Sequence, residues 1–246
     1  MKKPIISVKD LVAKYGDDTI LDGVSVDIYP QEVTVILGGS GCGKTTLIKN
    51  ILKLYHPHSG SVKIFDEEVT LMDEQEFDDI LSRIGMLFQN GALLNSLSIF
   101  DNVAIPLEQH TKLPKEIIEK MIKVKLDLVN LGHAVNMVPS ELSGGMKKRA
   151  ALARAIALDP DILICDEPSA GLDPITSANL DELILKLKNL LNMSIVIVTH
   201  ELASIHRIAD RIIFLDNGKL LFSGTLEEAK QTDIVEVKSF FEVGTF

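Results

Sequence analysis

The amino-acid sequence predicts an α/β protein with a mainly helical insertion in its middle. Three observations predict it. Short apolar runs at residues 32–37, 161–165 and 194–198 have the character of strands buried on both faces, and helical stretches follow or separate them. From about residue 91 to 158 the pattern turns helical. Finally, 46 % of the 246 residues are hydrophobic, ample for a sizeable core, which rules out a disordered chain.

The elements follow in order. Residues 5–12 are β-rich, Tyr15-Gly16-Asp17-Asp18 is a turn, and residues 20–28 alternate apolar with polar. The apolar strand 32–37 runs into a glycine-rich loop and a helical stretch, 45–54. Residues 61–65 and 84–88 read as further strands. Residues 116–131 carry apolar side chains at helical spacing: Ile117, Met121, Val124, Leu128 and Leu131. A helix over 177–191 separates strands 161–165 and 194–198. Residues 211–215 and 219–222 flank Asn217-Gly218, a strong hairpin signal. The tail, 226–241, reads as short helices. Phe240, Phe241 and Phe246 crowd its end, and packing on the chain's own sheet is the expected use of them.

With 25 basic and 35 acidic residues the formal charge is −10, and the pI is near 5.1. That argues against a nucleic-acid binder that works by bulk charge. No apolar stretch approaches the roughly 18 residues of a membrane span. Lys2 and Lys3 have no apolar signal core behind them, because Lys9 and Asp10 arrive too soon. The chain is therefore expected to stay in the cytoplasm. Cys42 and Cys165 cannot make a disulfide framework; the first fills a loop position and the second reads as core. A mean hydropathy of +0.21 hints at apolar surface covered by a partner. His56, His58, His110, His133 and His206 show no metal-ligand spacing.

The most informative segment is Gly38-Gly39-Ser40-Gly41-Cys42-Gly43-Lys44-Thr45, followed by Thr46. It matches G-x-x-x-x-G-K-[ST] and lies between an apolar strand and a helix, the context that motif requires. Glycines let backbone N–H groups converge on phosphate oxygens, and the helix turns its positive end to the same anion. Lys44 brings an ammonium to the β- and γ-phosphates, and Thr45 a hydroxyl to Mg²⁺. A second acidic site supports it. Ile162-Leu163-Ile164-Cys165 ends in Asp166 and Glu167, one carboxylate for the Mg²⁺ shell and one for a water in line with the γ-phosphate. Together the two motifs point to a nucleoside-triphosphate hydrolase of the P-loop class.

Leu142-Ser143-Gly144-Gly145-Met146 opens a further helix, with Ser143 as a good N-cap. With Gln89, Ser169-Ala170-Gly171-Leu172-Asp173 and His200, these motifs resemble the ATP-binding cassette (ABC) family over essentially the whole chain. The resemblance implies one ABC ATPase domain over 1–246, with a mainly parallel core sheet and an antiparallel β subdomain in 1–90 and 159–246. Residues 91–158, approximately, form the helical signature subdomain. It implies ATP and Mg²⁺ as ligands, and a dimer in which Ser143, Gly144 and Gly145 meet the partner copy's γ-phosphate and Asp173 lies at the interface. It further implies that Gln89 contacts Mg²⁺ and links to a membrane permease, that His200 positions the γ-phosphate and water, and that Tyr15 stacks on adenine. Lys147, Lys148 and Arg149 read as a solvated helix face.

The commonest signature ends in Gln, and here Met146 stands in its place. Three stretches resemble the ATPase of MCE-associated, Mla-type lipid transporters. They are the signature with Arg149-Ala150-Ala151-Leu152-Ala153-Arg154, Leu87-Phe88-Gln89-Asn90-Gly91-Ala92-Leu93, and Phe100-Asp101-Asn102-Val103-Ala104-Ile105-Pro106-Leu107. The resemblance implies an MCE-domain lipid-binding partner and a place on the cytoplasmic face of a bacterial inner membrane, held there through the permease. Polar amino-acid and methionine importers share much of the same frame. A soluble ABC ATPase and a small-molecule P-loop kinase are less well matched by the chain's length and its signature.

Overall fold

The computed structural model describes residues 2–242, which form two compact units. One comprises the chain up to Leu81 together with the residues from Ser194 onward; the other is Ser82–Met193. The divisions read from the sequence fall instead after residues 90 and 158. The second unit is wider than that and contains its own pair of parallel strands.

The first unit begins with strands β1 (Ile6–Tyr15), β2 (Asp18–Ile28) and β3 (Val33–Gly38) and helix α1 (Lys44–Ile51). Strands β4 (Ser59–Ile64) and β5 (Glu67–Glu68) and helix α2 (Glu74–Leu81) follow. The second unit holds β6 (Ile84–Leu87), α3 (Ile99–His110), α4 (Lys115–Leu128), α5 (Gly144–Ala155), β7 (Ile162–Asp166) and α6 (Pro174–Leu191). The first unit then resumes with β8 (Ser194–Val198), α7 (Leu202–Ile208), β9 (Arg211–Asp216), β10 (Lys219–Thr225), α8 (Leu226–Gln231) and α9 (Val235–Glu242).

In the first unit, β2-β1-β4-β5 is an antiparallel sheet. A second sheet has the order β10-β9-β3-β8. Its centre, β3, is flanked by parallel partners on both sides, with Val35 opposite Ile197 in β8 and Ile212 in β9. Residues 33–37 are all buried, which is why this strand reads as an unbroken apolar run. The hairpin at Asn217 and Gly218 is present, both residues having positive φ (44° and 76°), as a tight right-twisted hairpin turn demands. In the tail, Phe240 meets Phe214 of β9 edge-on at 5.8 Å and Phe241 lies 5.8 Å from His206, so these rings pack within their own unit. Phe246 lies outside the described residues.

In the second unit, β6 and β7 pair in parallel, Leu87 opposite Cys165. The helix read from the spacing is present as α4, in which Ile117 and Val124 are exposed, and Ile118, Ile122 and Leu126 form the buried face. The two stripes lie side by side on the helix, and tertiary packing selects between them. Helix α2 was not read from the sequence, although its start is marked. Asp73 Oδ1 accepts from Glu76 N–H (2.8 Å) while Glu76 Oε2 accepts from Asp73 N–H (3.0 Å), a reciprocal cap. Among the described residues, no helix is long and apolar enough to cross a membrane.

Candidate nucleotide-binding site

The glycine-rich loop lies in the first unit, between the end of β3 and the start of α1. Gly43, the residue before α1, has φ +105°. A side chain there would be strained by that backbone, and its Cβ would lie 2.5 Å from Leu21 Cδ2. The consequence is a helix start with no side-chain cap and no acidic residue in its first turn. Such an end keeps its positive pole open to an anion. Lys44 Nζ donates to the carbonyls of Gly38 and Gly39, each at 2.8 Å, and lies 3.8 Å from Cys42 Sγ. Gly39, Ser40, Gly41 and Thr45 are exposed; Cys42 and Thr46 are buried. This donor set fits a polyphosphate: glycine backbone, one ammonium and one open helix end.

Two more predicted residues belong to this unit. Tyr15 ends β1 with 42 % of its surface exposed, and its ring packs 4.7 Å from that of Tyr55. The Tyr55 hydroxyl donates to the Lys14 carbonyl, fixing the backbone just before Tyr15. His200 is exposed two residues beyond the end of β8.

The carboxylates lie in the second unit. Strand β7 is buried up to Cys165, and Asp166 and Glu167 at its end are half-buried. Glu167 adopts φ +46°, a left-handed conformation that costs a non-glycine residue about 1–3 kcal/mol. Burial pushes the Cys165 thiol far above its ordinary range, so it is inert core. Asp166 and the Thr45 hydroxyl are hard oxygen ligands of the kind Mg²⁺ takes. Among the described residues no cluster of three His, Cys, Asp or Glu side chains forms a metal site.

Gln89 is exposed in the turn after β6. The segment that follows it is pinned from α5 and α3. Arg154 donates to the carbonyls of Gly91 and Ala92, both at 2.8 Å. Buried Asn102 bonds Leu94 through both its backbone groups. Lys148 donates to the carbonyls of Gln89 and Glu167, the latter at 3.2 Å. This corrects the reading of residues 147–149 as a solvated face: Lys147 is exposed, but Lys148 is buried. Burial holds its ammonium below the usual lysine range, against the opposing pull of Glu167 and Asp166. Lys148, Arg154, Asn102 and Tyr55 were all missed as site-supporting residues. Their partners are distant in sequence, and no local pattern marks them.

The signature segment opens α5. Ser143 is its N-cap, its Oγ accepting from Met146 N–H at 3.3 Å. A Cβ on Gly145 would lie 2.6 Å from Thr176 Cγ2, whereas one on Gly144 would meet only Leu172 Cδ2 at an ordinary 3.6 Å. Gly145 is therefore required by its own chain, and Gly144 is not. Asp173 caps α6, accepting from the N–H groups of Ile175 (3.1 Å) and Thr176 (3.0 Å) and from the Thr176 hydroxyl (2.5 Å). The Thr176 side chain and these backbone donors hold its carboxyl below the usual range. Ser143, Gly144, Gly145, Arg149, Asp173 and Lys186 line one cavity of about 640 Å³.

Residues 21–170 match the ABC transporter family. The chain is 40 % identical over 242 residues, 98 % of its length and 92 % of the relative's, to the intermembrane phospholipid transport system ATP-binding protein MlaF of Haemophilus influenzae. It is 39 % identical over 235 residues to the probable ribonucleotide transport ATP-binding protein mkl of Mycobacterium leprae, covering 96 % of this chain and 68 % of that one. Its fold is similar to that of the ATP-binding cassette MJ0796, solved as a dimer in a post-hydrolysis state with ADP and Pi. There the TM-score is 0.81 at 30 % identity, over 90 % of this chain and 98 % of that one. With its phosphate loop, its paired carboxylates and its signature helix start in place, this chain belongs to the ABC transporter family, as one of its ATPases.

Proposed function

We propose that the chain is the ATP-hydrolysing subunit of a bacterial lipid transporter, working as a dimer beneath an integral membrane permease and together with an MCE-domain lipid-binding subunit. It acts at the cytoplasmic face of the inner membrane and supplies energy, not substrate recognition. The observation that carries the lipid assignment is the near full-length likeness to MlaF.

Lys44 and the loop backbone from Gly38 to Gly43 hold the β- and γ-phosphates together with Thr45 and Thr46, and Tyr15 stacks on adenine. Thr45, Asp166 and Gln89 would hold Mg²⁺, and the ion would supply positive charge against the charge developing on the phosphates. Glu167 accepts a proton from the attacking water as the bond to ADP breaks, and His200 orients that water and the γ-phosphate. Ser143, Gly144, Gly145 and Asp173 serve the nucleotide bound to the second copy.

The test is reconstitution with a permease and an MCE-domain protein of the Mla type, in vesicles carrying labelled phospholipid, with a labelled ribonucleotide in a parallel arm. ATP-dependent movement of the phospholipid, absent with Glu167→Gln, is the expected result. Movement of the ribonucleotide alone would transfer the assignment to the class named for mkl.

A further inference from the structure

The chemistry just described leaves Lys148 without a task. A lysine ammonium is costly to bury, and this one, 7 % exposed, spends its donors on two neutral backbone carbonyls. They belong to Gln89 and Glu167, which follow the ends of the paired strands β6 and β7. Glu167 is also the residue held in the left-handed conformation, and its carbonyl accepts a second bond from Ala170 N–H at 3.2 Å. A strained backbone persists where its surroundings over-determine it, and Lys148 is part of that surrounding. The lysine lies a little over one turn into α5, the helix that begins at Gly144.

We propose that Lys148 is a positioning residue for hydrolysis: by gripping the carbonyls of Gln89 and Glu167 it fixes the spacing of these two residues and ties both to the signature helix. The proposal rests on the reading of Glu167 and Gln89 given above. Lys148 acts through the residues it holds.

The test uses the full chain and separates turnover from binding. K148M keeps the length of the side chain and removes its donors. The expected result is a kcat lower by about tenfold or more, because small misplacements of a reacting group are costly. The KM and Kd for ATP should stay within about twofold, because uniform binding is untouched. K148R, which keeps cation and donors, should recover most of the loss. A merely structural lysine would instead lower the melting temperature and the fraction of chains that bind nucleotide, leaving kcat per bound nucleotide unchanged. Should K148M not fold, K148A, which lets water reach both carbonyls, is measured by the same criteria. E167Q is run beside them. If E167Q hydrolyses ATP at the wild-type rate, the reading of Glu167 fails and the proposal falls with it. If E167Q is slowed by about 100-fold or more while K148M and K148A turn over within about twofold of wild type, or K148R is as slow as K148M, the positioning role alone is overturned.

Discussion

Helices α1 and α5 both begin at glycine-framed turns, yet they begin differently. The start of α1 is held open: Gly43 is left-handed, offers no side chain, and leaves the helix end uncapped. The start of α5 is closed by its own chain, with Ser143 extended (φ −64°, ψ 164°) and its hydroxyl on Met146 N–H. An open end binds an anion without breaking any bond of its own. A capped end must exchange the serine's bond for a ligand's. The first is therefore suited to hold the nucleotide, and the second to engage one presented from outside, where binding and release both have to be easy.

That contrast is broken hardest at Lys44. Lys44→Ala removes a charge-assisted contact and should weaken ATP binding by about 10- to 100-fold, read by titration with ATP; an unchanged Kd would show that the open helix end alone suffices. At the other helix start the two glycines should part company. Gly145→Ala forces a Cβ against Thr176 and should cost about 1–3 kcal/mol of stability, as overpacking does. Gly144→Ala should melt at nearly the wild-type temperature, because its Cβ meets nothing closer than Leu172 Cδ2 at 3.6 Å, and should still lose ATPase activity under the proposed approach of the partner copy's phosphate. Loss of stability by Gly144→Ala, or full activity, would remove that distinction. Ser143→Ala tests the cap itself and should cost about 1 kcal/mol or less, given the long 3.3 Å bond.

The smallest expected effect concerns Asp173. Its folded-state pKa is depressed by the Thr176 side chain, so its contribution to stability is present above the ordinary value of 3.8 and lost as pH falls through the lower folded value. Thr176→Val should move the Asp173 titration up towards that ordinary value, as followed by NMR, and shrink the acid-side loss. An unmoved titration would assign the shift to the backbone donors alone.

Local chemistry made most of this legible in the sequence. The phosphate loop, the strand ending in Asp166-Glu167 and the cap at Ser143 are contiguous patterns, each with its own physical reason. The hairpin at Asn217-Gly218 is likewise a two-residue signal. What stayed hidden depends on contacts across many residues. Lys148 reaches Gln89 across 59 positions and Arg154 reaches Gly91 across 63, and in sequence both are just basic residues on a helix. The exposed stripe of α4 matched helical periodicity as well as the buried one does, because periodicity gives a face only when its neighbours are known. Glu167's left-handed backbone has no sequence signal at all, since Glu is an ordinary strand-end residue.

The central claim is that the open helix start of one copy and the capped start of another share one nucleotide. Mixed dimers of Lys44→Ala with Gly144→Asp chains test it directly. Each homodimer should be inactive, the first for want of the ammonium and the second because a carboxylate faces the phosphate. In the mixed dimer both defects fall in one composite site, and the other keeps an intact Lys44 and an intact Gly144. Mixing should restore ATPase activity, up to roughly half of wild type per dimer, with transition-state stabilisation intact at that one site. Verified mixed dimers that remain as inactive as their parents would contradict it.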